Sequence, residues 1–165
     1  LGSNLPSSFG DRFGNINLAI SHLEVYGIKI IKKSSFYETP SYPNNNNPKF
    51  INVVISVKTH LPPDDLMAVL ISIERKLERK RNTKNAPRTC DIDIIDYNNQ
   101  VLDFKYKNLN LTIPHKKIAF RNFILFPLEE IFSTWKHPKT GEIICSLIQK
   151  LPNEDKKSIL KIKNN

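Results

Sequence analysis

The twelve residues from Lys84 to Ile95 constrain this chain most, because they place two acids inside an apolar, β-branched run. Asp91 and Asp93 stand two positions apart, and the side chains of a strand alternate between its two faces. In a predicted strand over residues 90–96, the two carboxylates therefore share one face, while Ile92 and Ile94 take the other. The apolar face is therefore expected to pack in a core, and the acidic face is expected to form a functional site.

Two carboxylates at this spacing lie about 7 Å apart along a strand and repel each other unless a cation sits between them. Mg²⁺ is the expected cation where substrate phosphates complete its shell. Arg88, three residues before Asp91, is suited to hold those phosphates. We expect that replacing either acid relieves repulsion without loss of stability. The alternative is that both acids form the solvated face of an amphipathic edge strand.

Length and charge narrow the choice of partner. The 165 residues suit a single domain with a real core. The net charge of +9 predicts an anionic partner, which could be nucleic acid, a membrane surface or a polyphosphate nucleotide. Part of the excess positive charge lies on the basic residues between Arg75 and Arg88, directly before the acid pair.

Several site and protein classes are not indicated. Cys90 and Cys145 lie far apart with no C-x-x-C, so neither a zinc site nor a disulfide framework is predicted. With no signal peptide and no stretch of about 18 apolar residues, a soluble cytoplasmic protein is the expectation. The glycines form neither G-x-x-x-x-G-K-[ST] nor G-x-G-x-x-G. A bound triphosphate would therefore be held by side chains and metal.

The order of predicted elements indicates the fold class. Periodicity and turn residues predict two helices, over residues 11–26 and from Pro62 into the basic segment, and strands over 28–38, 50–58, 90–96 and near 101–106. Residues 40–48 read as a loop, and helices are predicted at 116–131, broken near Pro127, and at 142–150. This order predicts an α+β fold: a ferredoxin-like βαββαβ sandwich with an antiparallel sheet, an extra hairpin and C-terminal helices.

The segment from Lys84 to Ile95 resembles the signature of the hydroxymethyl-dihydropterin pyrophosphokinases, the folate-pathway enzymes that move a diphosphate from ATP to a pterin alcohol. That signature reads basic, any, Gly or Ala, Pro, Arg, two of any type, Asp, aliphatic, Asp, aliphatic, aliphatic, and every position matches. Further matching segments follow in order at residues 1–4, 35–40 with 50–52, and 111–115 with 121–123. The resemblance implies the same fold with a domain over residues 1–151, a first strand truncated before Leu1, and a basic C-terminal tail at 152–165.

The resemblance also implies the reaction and the residues that bind ATP and Mg²⁺. The pterin's hydroxymethyl oxygen attacks the β-phosphorus of the co-substrate ATP, and AMP leaves. Asp91 and Asp93 would bind two Mg²⁺ ions, and Arg79 and Arg88 would act with them as catalytic residues that close over ATP. The implied ATP-binding residues are Glu74, Arg81, Arg88, Ile94, Thr112, His115, Lys116 and Arg121. The alternatives are a solvated basic helix end for the arginines, a surface acid paired one turn away for Glu74, and a structural role for His115.

On the pterin side, the resemblance implies that the heterocycle stacks between Phe50 and Phe123. Asn52 would read its amide edge together with the backbone from Thr39 through Pro40 to Tyr42. The alternative for either phenylalanine is a core position. The expected partners are therefore two small molecules, with no nucleic acid and no membrane, and a monomer is expected.

Two other protein classes fit part of the sequence. RNA-recognition modules share the βαββαβ order, but they need an RNP1-like aromatic run, which this chain lacks. A two-metal nucleotidyl transferase would explain Asp91 and Asp93. It would leave Asn52 and the two phenylalanines unexplained.

Overall fold

The computed structural model describes residues 1–80, 85–107 and 109–163. The strands of the described residues are β1 (Gly2–Ser3), β2 (Lys29–Lys33), β3 (Tyr37–Thr39), β4 (Phe50–Asn52), β5 (Ile55–Lys58), β6 (Leu102–Tyr106), β7 (Leu109–Ile113) and β8 (Leu160–Lys161). Their helices are α1 (Arg12–Val25), α2 (Pro63–Lys76), α3 (Asn122–Ile131), α4 (Ile144–Lys150) and α5 (Asn153–Ser158), with a 3-10 helix at Ile118–Phe120 before α3.

The strands pair in antiparallel fashion. One sheet has the order β1-β4-β3-β8, β2 pairs with β5, and β6 and β7 form a hairpin. In the first sheet, Asn52 of β4 lies opposite Gly2 on one side and Tyr37 on the other. The predicted mixture of helices with antiparallel sheet is confirmed.

The two long strands predicted at residues 28–38 and 50–58 are each interrupted. Ser34 N donates to Val54 O at 2.9 Å, and Val54 N donates back to Ser34 Oγ at 3.1 Å. Val53 N donates instead to Leu1 O at 2.9 Å, on the β1 side. The prediction of two unbroken strands is therefore wrong, because the partner of the second strand changes at Val53.

The acid-bearing segment is not the strand predicted over residues 90–96. Among the described residues it makes one antiparallel bridge, in which Gly2 and Asp91 exchange both backbone hydrogen bonds at 2.8 Å. Ile92 N then donates to the Glu74 side chain at 2.9 Å. The facing is nevertheless as predicted, because Cys90 and Ile92 are buried in a core while Asp91 and Asp93 line a cavity.

Local sequence signals mark the starts of α1 and α2. α1 begins where Asp11 Oδ1 accepts from Gly14 N at 2.8 Å, and α2 begins with Pro63 and carries Asp64 and Asp65 in its first turn. The predicted break at Pro127 is wrong. α3 runs through this buried proline, although proline lacks an N–H donor and crowds the preceding turn, and the chain is extended instead at Arg121, just before the helix.

Two main hydrophobic cores pack around the strands. The first joins α1 and α2 to Cys90 and Ile92, and the second joins α3 and α4 around Trp135. Residues after Leu151 also take part in the fold, because β8 pairs with β3 and Ile162 N donates to Phe36 O at 2.8 Å. No helix of the described residues is long and apolar enough to cross a membrane.

Candidate active site

A cavity of about 880 Å³ opens beside the Gly2–Asp91 bridge. It brings together most of the predicted site residues, although they come from four separate stretches of chain. Those lining it are Thr39, Pro40, Tyr42, Phe50, Asn52, Arg88, Asp91, Asp93, His115, Arg121 and Phe123.

Asp91 is held by the two arginines predicted to act with it. Arg88 Nη2 lies 2.7 Å from Asp91 Oδ2, and Arg79 Nη1 contacts Asp91 Oδ1. Arg79 Nη1 also donates to Cys90 O at 3.0 Å. Burial alone would raise the pKa of Asp91, but the charges of Arg88 and Arg79 outweigh it, so the pKa lies below its ordinary value. Asp91 is therefore an ionised carboxylate neutralised by two guanidinium groups.

Asp93 has a different environment. Its side chain is 52% exposed, and Arg121 Nη1 lies 3.9 Å from its Oδ2. Although the side chain is half exposed, loss of solvation within the cavity, followed by the charge of Asp91, raises the pKa of Asp93. The described residues contain no cluster of three or more His, Cys, Asp or Glu side chains suited to a metal. The pair fits Mg²⁺, which commonly uses one or two carboxylates and takes its other ligands from water and substrate phosphates.

Glu74 stands behind this arrangement and not in the cavity. It is 2% exposed, contacts Arg79 and accepts from Ile92 N at 2.9 Å. The alternative of a surface acid is therefore wrong. A buried carboxylate is costly unless it is paired and hydrogen-bonded. Glu74 meets that condition by fixing Arg79 against Asp91.

The wall next to Asp93 carries positive charge. His115 Nδ1 accepts from Lys117 N at 3.0 Å, and its Nε2 lies 3.5 Å from Arg121 Nη2. Burial, followed by the charge of Arg121, lowers the pKa of His115, so a neutral ring is favoured. Lys117, which the sequence did not single out, lines the cavity beside them.

The two phenylalanines and Asn52 also line the cavity. The guanidinium of Arg88 lies 4.9 Å from the Phe50 ring centroid, and that of Arg121 lies 5.5 Å from Phe123. Asn52 Nδ2 donates to Thr39 Oγ1 at 2.9 Å. A Cβ on Gly2 would lie 3.1 Å from Asn52 Oδ1, so glycine lets β1 pass close to this amide.

Some predicted residues lie elsewhere. Thr112 Oγ1 donates to Asp103 Oδ1 at 2.6 Å in the β6–β7 hairpin, and Lys116 is exposed outside the cavity lining. Ile94 lines a second cavity, of about 430 Å³, between β5 and the acid segment. Arg81 lies outside the described residues, so its predicted contact with ATP stays a prediction.

Other residues that shape the site were not predicted. Asn122 Nδ2 donates to Asp155 O at 2.7 Å and to Ser158 Oγ at 3.0 Å, which brings α5 to the cavity. Asn122 lies within a matched segment, whereas α5 carries no signal that links it to a site. Asn4 is also within a matched segment and is buried under the cavity.

Comparison with known proteins decides the family. A sequence model of the 7,8-dihydro-6-hydroxymethylpterin-pyrophosphokinase (HPPK) family matches residues 1–133. The chain belongs to this family. The resemblance read from Lys84 to Ile95 is confirmed.

Individual relatives agree with this assignment. The 2-amino-4-hydroxy-6-hydroxymethyldihydropteridine pyrophosphokinase of Synechocystis sp. is 35% identical over 89% of this chain and 73% of its own length. The folic acid synthesis protein fol1 of Pneumocystis carinii is 36% identical over 95% of this chain but only 21% of its own length. The chain thus spans most of the HPPK relative from Synechocystis and about a fifth of the fungal protein.

A solved structure supports the fold. The crystal structure of Plasmodium falciparum HPPK-DHPS wild type with pteroate aligns with a TM-score of 0.67 at 20% identity. The alignment covers 90% of this chain and 41% of that one. At this identity the likeness shows a shared fold.

Proposed function

We propose that this chain transfers the diphosphate of ATP to the hydroxymethyl group of 6-hydroxymethyl-7,8-dihydropterin, releasing AMP, as a step in folate synthesis. It would be an ATP-dependent diphosphokinase. One observation carries the proposal beyond family membership. A single cavity is lined both by an acid pair with arginines and by two phenylalanines with an asparagine.

The acid pair and its arginines suit the phosphates of ATP. Asp91 and Asp93 would hold Mg²⁺, which supplies charge neutralisation and makes the attacking hydroxyl more acidic. Arg88 is the candidate to turn toward phosphate, because its Nε is buried without a hydrogen-bond partner among the described residues and a phosphate oxygen would satisfy it. Arg79 is fixed more firmly, since it also contacts Glu74 and Cys90 O. Arg88 would therefore turn toward phosphate while Arg79 stays on Asp91.

The two phenylalanines and Asn52 suit a flat heterocycle. Phe50 and Phe123 both line the cavity, where their rings offer stacking surfaces. The bond from Asn52 Nδ2 to Thr39 Oγ1 orients the amide, and its Oδ1 would accept from a ring N–H. The backbone of residues 39–42 would supply the remaining polar contacts.

Catalysis would rest on positioning and charge, as is usual in phosphoryl transfer. His115 favours the neutral state and lies next to Arg121, so it suits hydrogen bonding to a phosphate oxygen. Arg121 and Lys117 would add positive charge on the same side.

Several finer features remain part of the proposal: two Mg²⁺ ions, a monomeric cytoplasmic protein, the domain limits at residues 1–151, and the ferredoxin-like arrangement. The position of β1 supports that arrangement, because Gly2 pairs with both Asn52 and Asp91.

Product analysis tests the reaction. We expect incubation with ATP, Mg²⁺ and 6-hydroxymethyl-7,8-dihydropterin to yield AMP and the pterin diphosphate in equal amounts. Asp93→Asn is the matched control, because it removes one charge from a half-exposed side chain. Release of ADP, or absence of pterin-dependent turnover by protein with a normal thermal melt, would contradict the proposal.

A further inference from the structure

Asn122, the first residue of α3, joins a segment near the C-terminus to one wall of the cavity. Its Nδ2 donates to Asp155 O at 2.7 Å and to Ser158 Oγ at 3.0 Å, both in α5. Its Oδ1 accepts from Phe123 N at 2.7 Å. One side-chain amide thus links α5 to the backbone of the phenylalanine that is expected to stack on the pterin.

The contact between α3 and α5 is a closed set of hydrogen bonds. Ser158 Oγ accepts from Asn122 and donates to Asp155 O at 3.0 Å, so the hydroxyl, the carbonyl and the amide are all joined. Asn122, Asp155, Ser158 and Phe123 all line the cavity. The contact therefore forms part of the cavity wall, where its loss would change ligand binding.

The chain beyond α5 is attached to the strand on the other side. β8 pairs with β3, and Ile162 N donates to Phe36 O at 2.8 Å. β3 ends at Thr39, whose Oγ1 accepts from Asn52 Nδ2. The C-terminal segment, residues 153–162, thus connects α3 to β3, the two elements that carry Phe123 and Thr39.

We propose that Asn122 is a positioning residue for pterin binding, which attaches the C-terminal segment to α3 and thereby fixes the backbone at Phe123. The inference rests on the proposed function for the identity of the ligand. A wall that is ordered before the ligand arrives loses less conformational freedom on binding, so it binds the ligand more tightly. Without the amide, α5 and the start of α3 move separately, and binding of the pterin must then order both.

The nucleotide side of the cavity is held by other contacts. Arg79 and Arg88 both pair with Asp91. The hydrogen bonds of Asn122 run instead to α5 and to Phe123. Loss of the Asn122 amide should therefore weaken the binding of the pterin more than the binding of the nucleotide.

The test measures the affinity for 6-hydroxymethyl-7,8-dihydropterin by calorimetry, with saturating Mg²⁺ and the α,β-methylene analogue of ATP present. Asn122→Ala should weaken pterin binding by about fivefold, which corresponds to one typical hydrogen bond. Ser158→Ala removes one of the two α5 acceptors and should weaken it by about threefold. The affinity for the analogue, measured without the pterin, should change by less than about twofold in both variants, because its contacts are kept.

The double variant separates positioning from direct contact with the ligand, since both side chains line the cavity. If Asn122 and Ser158 act through their mutual bond, the double variant should bind the pterin about fivefold more weakly than the unaltered protein, as Asn122→Ala alone does. Two independent contacts with the ligand would multiply the losses to about fifteenfold.

Tyr97→Phe is the matched control. Tyr97 OH donates to Leu61 O at 2.8 Å, so the variant removes one partly buried hydrogen bond away from α3 and the C-terminal segment. Its pterin affinity should equal that of the unaltered protein. Ser158→Ala leaves α3 unaltered and decides the test if Asn122→Ala does not fold.

Three results overturn the positioning role alone: an unchanged pterin affinity in a folded variant of Asn122 or Ser158, multiplied losses in the double variant, or an equal loss in Tyr97→Phe. A loss of analogue affinity as large as the loss of pterin affinity overturns it as well. Failure of folded, unaltered protein to bind the pterin overturns the proposed function with it.

Discussion

At the scale of single residues, the two acids of the site have unequal roles in the free protein. Asp91 is ionised and paired with Arg79 and Arg88, whereas Asp93 is half exposed and lies 3.9 Å from Arg121. From the sequence, removal of either acid was expected to leave stability intact because the pair is repulsive. The structure argues against this for Asp91, because removing it would leave Arg88 without its carboxylate and Arg79 with Glu74.

We therefore predict that Asp91→Asn and Asp93→Asn differ in their effect on stability but not in their effect on activity. Asp91→Asn should lower the free energy of unfolding by about 2–4 kcal/mol, near the cost of breaking a buried ion pair. Asp93→Asn should change it by less than about 0.5 kcal/mol, as for an exposed site. Both should lose diphosphate transfer. Urea denaturation and AMP formation, measured on the same preparations, check this, and equal destabilisation would contradict the pairing of Asp91.

At the scale of elements, Glu130 joins the helix that carries part of the site to the sheet. Glu130 of α3 accepts from Ser35 N at 3.0 Å, from Ser35 Oγ at 2.8 Å and from Tyr37 OH at 2.7 Å, and Lys161 of β8 lies 3.4 Å away. Burial would raise the pKa of Glu130, but the bonds from Tyr37 and Ser35 outweigh it, so the pKa is lowered. One carboxylate thus anchors α3 to β3 and β8.

Glu130→Gln should destabilise the protein by about 1–2 kcal/mol at pH 7, because it removes charge-assisted hydrogen bonds. A carboxylate whose pKa is lowered by folding stabilises fully above its unfolded pKa, 4.5, and loses this effect as the pH falls through the folded value. The difference between the unaltered protein and the variant should therefore shrink below about pH 4.5. Thermal melts from pH 3 to 7 check this, with Glu129→Gln as the control; a constant difference would refute it.

The elements that sequence could predict are those set by local signals. α1 and α2 follow from helical spacing with a capping Asp11 and an initial Pro63. The interruption at Val53 could not be predicted, because it depends on Leu1, 52 residues away. The single bridge at Asp91 depends in the same way on Gly2. Pairing between strands that are distant in sequence produces no periodic pattern in either segment.

The same distinction holds for the site. That Asp91 and Asp93 face the same way follows from the alternation of side chains within one segment. The site residues on other strands could be predicted only from their match to a family signature. The contact of Asn4 with Arg88 joins residues 84 positions apart, and the contact of Asn122 with Ser158 joins residues 36 apart. Such side chains act through geometry that only the folded chain creates.

At the scale of the whole molecule, the acid segment is shared by the two main cores. Cys90 and Ile92 are buried in the first core, while Ile95 packs against the second. Asp96 Oδ2 then accepts from Trp135 Nε1 at 2.6 Å. The acid pair is therefore held in place only when both cores are formed, which makes the site depend on one cooperative structure.

We predict that the two cores unfold together, and two native probes can test this. Trp135, the sole tryptophan, reports on the second core. Cys90 reports on the first, since it is fully buried and burial raises the pKa of its thiol to about 12, which suppresses alkylation in the native state. In a Cys145→Ser background, which removes the exposed thiol, the urea midpoint of Trp135 fluorescence should equal that of Cys90 labelling by iodoacetamide. Labelling of Cys90 at clearly lower urea would mean that the first core opens alone, and the acid pair would then lose its support while Trp135 stays buried.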